Sequence, residues 1–216
     1  AARIEAVNGY LNFYLSDDVV CDTVVGEILQ KGEKYGAPTI GEGKEVVLDY
    51  SSPNVAKPFH IGPLGTTVIG HSLKLLHDYR GYSCVGITHL GDWGTQFGKL
   101  ICAYRKWGSR EDIENGGIDK LVELYVRFHE EAEKDPSLND EARAQFRKLE
   151  QGDEENLALW KWFIEISLEE YQKTYAQLDI TFDSYKGESF YTDKMPAQVQ
   201  KLRDMGLMKI DDGASI

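Results

Sequence analysis

Apolar positions change their spacing several times along this chain, and each change marks an element. Tyr10 to Leu15 runs apolar like an edge strand, and the spacing from Val19 to Gln30 predicts a helix. Gly32, Gly36, Pro38, Gly41 and Gly43 then break every periodicity and mark a loop, the best candidate for a domain boundary. Beyond it, "EVVLDYS" (Glu45 to Ser51) is short, bulky and β-branched between turn residues, which predicts a buried strand. A helix follows from about Pro63 to Tyr79, with Leu64, Val68, Leu75 and Tyr79 along one face. A strand from Ser83 to Leu90 and a helix from Thr95 to Trp107 come next. This order and spacing predict a βαβ unit with parallel strands and a right-handed crossover.

From Ile118 to Leu178 the pattern becomes almost wholly helical, which predicts an inserted helical hairpin or bundle. Leu121, Leu124, Tyr125 and Phe128 share one face, and Leu157, Trp160, Ile164, Leu168 and Tyr171 share another. Trp160 and Trp162 are two residues apart on a helix, so only one of them is expected to face the core. "ITFDSYKGES" (Ile180 to Ser189) returns to strand, Met195 to Leu207 is a helix with Pro196 near its start, and "MKIDDGASI" begins a further strand. There is no internal repeat and no low-complexity tract.

Composition narrows the class. A hydrophobic fraction of 42% is that of a folded globular chain, and no apolar run approaches the roughly 18 residues that span a bilayer. The N-terminus has neither the basic start nor the apolar core of a signal peptide, and a reducing, cytoplasmic setting fits Cys21, Cys84 and Cys102, which form no C-x-x-C pair. The formal charge of −12 is concentrated: Glu111 to Glu155 holds 15 acidic and 6 basic residues. That stretch reads as a solvated helical face rather than a phosphate grip. A first residue other than Met and a last residue inside an apparent strand are what a fragment would show.

The loop from Ser51 to Gly62 lies where ligands bind in a parallel α/β sheet, outside the carboxyl ends of the strands. It leads into a helix N-terminus, whose free N–H groups and dipole favour an anion such as a phosphate. Gly62 lets the backbone approach closely, His60 is a candidate donor to a phosphoryl oxygen, and Lys57 adds a mobile cation. Taken alone, His-Ile-Gly-Pro also suits a plain turn and helix start with His60 packed or solvated. Pro63 is expected at the first helical position, where the N–H it lacks has no partner anyway. "GDWGTQFG" (Gly91 to Gly98) similarly reads as a turn that sends Trp93 and Phe97 to the core, as a pocket wall, or as both. His89 either caps that turn or touches ligand. His71, His77 and His129 lack partners at metal-ligand spacing and are read as structural; no metal site is expected.

"SSPNVAKPFHIG" and "THLGDWGTQFGKLI", in this order, closely resemble the arginyl-tRNA synthetases, a class I aminoacyl-tRNA synthetase family. The resemblance covers nearly the whole chain. It implies an α/β, Rossmann-like nucleotide-binding fold of class I synthetases, first half only, with a helical insertion at about 111–178. Residues 1–40 would be the C-terminal end of an N-terminal tRNA-contacting domain and linker, and 41–216 the first part of the catalytic domain. It further implies ATP-dependent activation of arginine to arginyl-adenylate and transfer to tRNA, with Mg²⁺ carried on the ATP and no prosthetic group. Ser52, Pro53 and Asn54 would form the turn that holds arginine, with Asp49 facing it and His89 and Gln96 flanking the pocket. Lys57, His60 and Gly62 would meet ATP. The sequence departs from the family pattern at Pro63, where a second histidine is expected, and at Gly65, where an arginine is. It also contains nothing like the second ATP motif of the class or an anticodon-binding domain. A binding module that keeps the fold without catalysis, and a different nucleotidyl-transferring enzyme on the same fold, are the alternatives. With its acidic surplus, this chain alone is expected to bind tRNA weakly.

Overall fold

A computed structural model describes residues 1–211, 214 and 215. The chain divides into two compact units, Ala1–Val46 with Leu75–Cys84, and Val47–Lys74 with Val85–Ile216. The first unit opens on a β-hairpin, β1 (Arg3–Val7) and β2 (Tyr10–Tyr14), paired in register from Arg3–Tyr14 to Val7–Tyr10. Asn8 and Gly9 make its two-residue turn at φ 54° and 84°, the left-handed pair that matches the twist of antiparallel strands. The single edge strand expected at Tyr10–Leu15 is therefore half of a hairpin. Next come α1 (Asp17–Val20), a π-helical turn at Cys21–Val25 and α2 (Gly26–Lys31), one continuous helical stretch rather than the uniform helix expected. The Tyr79 hydroxyl donates to the Tyr35 carbonyl (2.6 Å), and Ser83 N–H donates to the Lys44 carbonyl (3.0 Å).

β3 (Glu45–Asp49), α3 (Ile61–Tyr79) and β4 (Ser83–Ile87) follow in the predicted order, and the two strands form a two-stranded sheet. Beyond the strands the chains stay side by side to a parallel bridge between Asn54 and Gly91. β3 is not the buried strand the sequence suggests, since Val47 is 59% exposed; one face only, through Leu48, packs on the core around Tyr50, Tyr171, Tyr175 and Ile180. The segment Ile180 to Ser189 forms no strand. It touches β4 through one parallel bridge, Ile87–Ser184, and the Asp183 carboxylate instead of a carbonyl accepts from Gly86 N–H (2.7 Å).

The second unit is dominated by helices: α4 (Thr95–Trp107), α5 (Arg110–Lys134), α6 (Ser137–Glu150) and α7 (Glu154–Gln177). Side chains fix the breaks between them. Ser109 Oγ accepts from Asp112 N–H (3.1 Å) to cap α5, and Asp153 accepts from Asn156 N–H (3.0 Å) to cap α7. Phe97, Ile101, Leu121, Phe128, Leu149 and Phe163 make a dry core between these helices. α7 packs against α4, α5 and α6, and so has more than one flank to cover. Trp160 packs edge-on to Trp93 (5.5 Å between ring centres) while Trp162 packs on Tyr104 (5.7 Å), so both tryptophans are half-buried against the core, contrary to expectation. Along α7 the most buried stripe is Asn156, Phe163, Ser167, Tyr171 and Tyr175; of the expected face only Tyr171 belongs to it. α8 (Met195–Asp204) has Pro196 in its first turn, and β5 (Ile210–Asp211) pairs antiparallel with β6 (Ala214–Ser215). Asp212, Gly213 and Ile216 of the expected last strand lie outside the described residues. No described helix is long and apolar enough to cross a membrane.

Candidate functional site

The loop after β3 carries most of the candidate residues, and its backbone is unusual. Ser51, Ser52 and Ala56 sit at φ 70°, 45° and 58°, in the left-handed region that side-chain-bearing residues rarely occupy. Such conformations persist only where surrounding contacts over-determine them. Ser52 supplies three of those contacts: its N–H donates to Thr88 Oγ1 (3.1 Å), its hydroxyl donates to Asp49 Oδ1 (2.7 Å), and its oxygen accepts from His89 N–H (3.0 Å). One serine thus joins the end of β3 to the loop after β4. Pro53 is buried and its carbonyl accepts from Gly91 N–H (3.1 Å), while Val55 N–H donates back to the Gly91 carbonyl (3.1 Å). Asn54 between them keeps an exposed side chain.

At the start of α3, Gly62 N–H donates to His60 Nδ1 (3.1 Å), so the imidazole folds over the first turn. A neutral ring accepting at Nδ1 carries its proton on Nε2, which leaves one donor facing outward. Gly62 permits this: a Cβ there would lie 2.8 Å from His60 Cε1. Pro63 is the third helical residue rather than the first, because the opening bond already runs from Leu64 N–H to the His60 carbonyl (3.1 Å). The consequence expected from the sequence still holds, since an N–H at the third position has no intrahelical acceptor.

The other candidates divide. His89 is half-buried with its ring 5.6 Å from that of Tyr191. Gln96 turns its Nε2 inward to donate to the Trp93 carbonyl (3.0 Å), and it lines a small pocket with Lys57, Val55, Phe97 and Tyr125. Asp49, Ser52 and His89 form one hydrogen-bonded group. His60 and Gly62 form another, and no hydrogen bond among the described residues links His60 to Ser52 or His89.

Several supporting residues escaped the sequence reading. The Asp92 carboxylate, 6% exposed, accepts from Ser189 N–H (2.8 Å) and the Ser189 hydroxyl (2.6 Å), and the Asp92 carbonyl accepts from Trp160 Nε1 (2.7 Å). Ser51 Oγ lies 2.7 Å from the Tyr175 hydroxyl and 2.6 Å from Thr67 Oγ1, which in turn reaches the Pro63 carbonyl (2.6 Å). The Tyr171 hydroxyl shares its one proton between the carbonyls of Asn54 (2.6 Å) and Lys57 (2.8 Å), and Ser167 Oγ accepts from Ala56 N–H (3.1 Å). Burial pushes the Tyr171 and Tyr175 phenols above the ordinary tyrosine range, so both remain protonated at neutral pH. The signal for these residues was the four-residue recurrence of hydroxyls at 167, 171 and 175 on one helical face.

Two adjoining strands whose following loops interlock beside a helix N-terminus, with a helical insertion behind them, belong to a catalytic domain of the class I aminoacyl-tRNA synthetases. Residues 24–216 match the family described as "tRNA synthetases class I (R), catalytic domain". The chain is a member of the arginyl-tRNA synthetase family. It is 52% identical over 214 residues to the arginine–tRNA ligase of Alkaliphilus metalliredigens and 50% identical over 215 residues to that of Halothermothrix orenii. Those alignments cover 99% and 100% of this chain but 38% of each relative, so the chain spans well under half of their length. Among solved structures, the Plasmodium falciparum arginyl-tRNA synthetase superposes with a TM-score of 0.69 at 26% identity, covering 99% of this chain and 37% of that one. The Thermus thermophilus enzyme shares the fold at a TM-score of 0.67 and 19% identity, over 97% of this chain and 33% of that one.

Proposed function

We infer that the chain is the first part of an arginine–tRNA ligase catalytic domain, and that its site activates arginine with ATP before transfer to tRNA. The observation that carries this reading is the interlock of Asp49, Ser52 and His89 beside the α3 N-terminus, in a chain half identical to arginine–tRNA ligases. Adenylation is an in-line attack of a carboxylate oxygen on the α-phosphorus, with pyrophosphate leaving. The protein's task is to hold two anions in line and offset the charge that builds between them. In this reading the Ser52–Pro53–Asn54 turn holds arginine, Asp49 attracts its cationic groups, and His89 and Gln96 flank it. Lys57, the outward Nε2–H of His60 and the α3 N-terminus opened by Gly62 meet the phosphates, with Mg²⁺ arriving on the nucleotide as part of the substrate. Residues 1–40 are the end of a tRNA-contacting domain and linker, and 41–216 the start of the catalytic domain. The acidic insertion makes tRNA binding by this stretch alone weak and salt-sensitive. The setting is cytoplasmic.

Pro63 and Gly65 favour a second reading, a module that binds without catalysis, because an imidazole and a cation are missing from the ATP-facing turn. The two readings part in one experiment. Calorimetric titration with Mg–ATP and arginine, against lysine as control, tests binding. Pyrophosphate exchange by the chain joined to the remainder of a catalytic domain tests chemistry. Pro63→His with Gly65→Arg should raise arginine-dependent exchange at least about tenfold, or roughly 1.4 kcal/mol of barrier. A Cβ at Gly65 meets nothing within 4 Å, so the arginine has room. Binding of both ligands without exchange in either form supports the module; no binding of either ligand overturns the enzyme reading.

A further inference from the structure

We propose that Tyr171, assisted by Ser167, is a positioning residue of the site: from the helical insertion it fixes the Asn54–Lys57 turn that presents Asn54 and Lys57. This rests on the reading of that loop as the substrate turn. The turn spans Asn54 to Lys57, and the one Tyr171 hydroxyl closes it by sharing its single proton between the carbonyls at both ends, 2.6 and 2.8 Å away. Between those carbonyls Ala56 is held at φ 58°, a conformation an alanine does not choose, and its N–H is taken by Ser167 Oγ (3.1 Å). Ser167 and Tyr171 are both fully buried on one stripe of α7, one turn apart, so the two anchors keep the helix's own spacing. The Asn54 and Lys57 side chains are exposed, Asn54 lying against Gly91 and Lys57 at the rim of the pocket beside Gln96, so their placement follows the backbone beneath. Tyr171 is not needed for a site on α7 itself: its ring is in the core beside Phe59, 5.9 Å between centres, and only the hydroxyl reaches the loop. A phenylalanine there would keep the packing and remove the one donor that the two carbonyls share.

The test compares Tyr171→Phe with a variant bearing 4-aminophenylalanine at the same position, whose amine restores a donor, and with Ser167→Ala, all in the 216-residue chain. Amide exchange followed by NMR should show the Val55 and Ala56 N–H groups exchanging at least roughly tenfold faster in Tyr171→Phe, with Leu100 and Ile101 in α4 unchanged. The aminophenylalanine variant should return the rates toward those of the parent chain. Exchange at Val55 and Ala56 that does not respond to Tyr171→Phe overturns the proposal, whatever the ligand arm gives. Titration with arginine and with Mg–ATP forms the second arm, in which the affinity of the parent chain for at least one ligand should fall at least about fivefold in Tyr171→Phe and recover with the amine. A loosened turn with unaltered affinity also overturns the positioning role. A parent chain that binds neither ligand would count against the functional reading, while the exchange arm would still decide whether Tyr171 fixes the turn.

Discussion

In the bundle of α4 to α7, Phe97, Ile101, Leu121, Phe128 and Phe163 are at most 1% exposed, whereas in the N-terminal hairpin Tyr10, Leu11 and Phe13 are 76%, 59% and 62% exposed. Both regions are rich in large apolar side chains, and only one has a core. Between residues 1 and 46, Gly41 alone among the described residues is buried. The hairpin keeps its shape through the Asn8–Gly9 turn and five register pairs, local devices that make a two-stranded ribbon marginal by itself. The bundle gains its order from contacts between helices far apart in sequence. Regular hydrogen bonding and burial are therefore separable in this molecule, and the hairpin side chains remain available to whatever covers them.

The contrast is sharpest under truncation. Phe128→Ala should lower the unfolding free energy of the bundle by about 3–5 kcal/mol, while Phe13→Ala should stay within about 0.5 kcal/mol, as read from urea midpoints. Equal losses would mean that the hairpin has a core of its own. A second test fills rather than empties. Gly98 of α4 faces α6 so closely that an added methyl group would meet the Ala142 carbonyl and lie 3.0 Å from Phe146 N, so Gly98→Ala should cost about 1–3 kcal/mol. The same change at Gly26 in α2, which has nothing within 4 Å, should be neutral or slightly stabilising.

Thiol chemistry gives a gentler probe. Cys21 is exposed; Cys102 is buried, and burial together with the neighbouring Glu141 carboxylate pushes its thiol above the ordinary range. Maleimide labelling at pH 7.5 should be at least roughly tenfold slower at Cys102 than at Cys21, followed by mass spectrometry of the peptides. The smallest effect concerns His129, whose ring packs 4.7 Å from Tyr125 at the edge of the bundle. Partial desolvation of this otherwise exposed ring lowers its pKa below the ordinary imidazole value of about 6.5, with Lys99 adding to the effect and Glu133 opposing it. The folded state therefore favours the neutral ring. Its contribution is complete above the unfolded pKa and is lost as pH falls through about 6.5 toward the folded value. His129→Gln should flatten the change in Tm between about pH 7 and 5.5 by roughly 1 °C or less.

How much of this was legible in the sequence depended on how local each cause is. α4 was predicted at Thr95 to Trp107 and found there, because Gly94 and Gly108 flank a clean apolar period. The Asn8–Gly9 turn was equally local, yet β1 was not legible because Arg3–Val7 carries less apolar bulk than the Tyr10–Leu15 run it pairs with. α7 was found with its buried face misjudged: apolar periodicity points to Leu157, Trp160, Ile164 and Leu168, whereas Ser167 and Tyr175 are buried by hydrogen bonds to loops more than a hundred residues away. Resemblance named Asp49, Ser52 and His89, and strand pairing brings them together across 37 positions, but no property of the residues alone reveals that contact. Sequence patterns report what a side chain avoids more readily than what it holds.

The hold of α7 on the Asn54–Lys57 turn also sets an order of events at the ribosome. Tyr171 is made 117 positions after Asn54 and 114 after Lys57. At about 5–20 residues per second, roughly 6–23 seconds separate the emergence of the turn from that of its anchor. Through that interval the left-handed backbone at Ala56 has no partner from α7, and the segment samples other shapes. A nascent chain arrested before Tyr171 would carry every side chain of the loop and still lack its form.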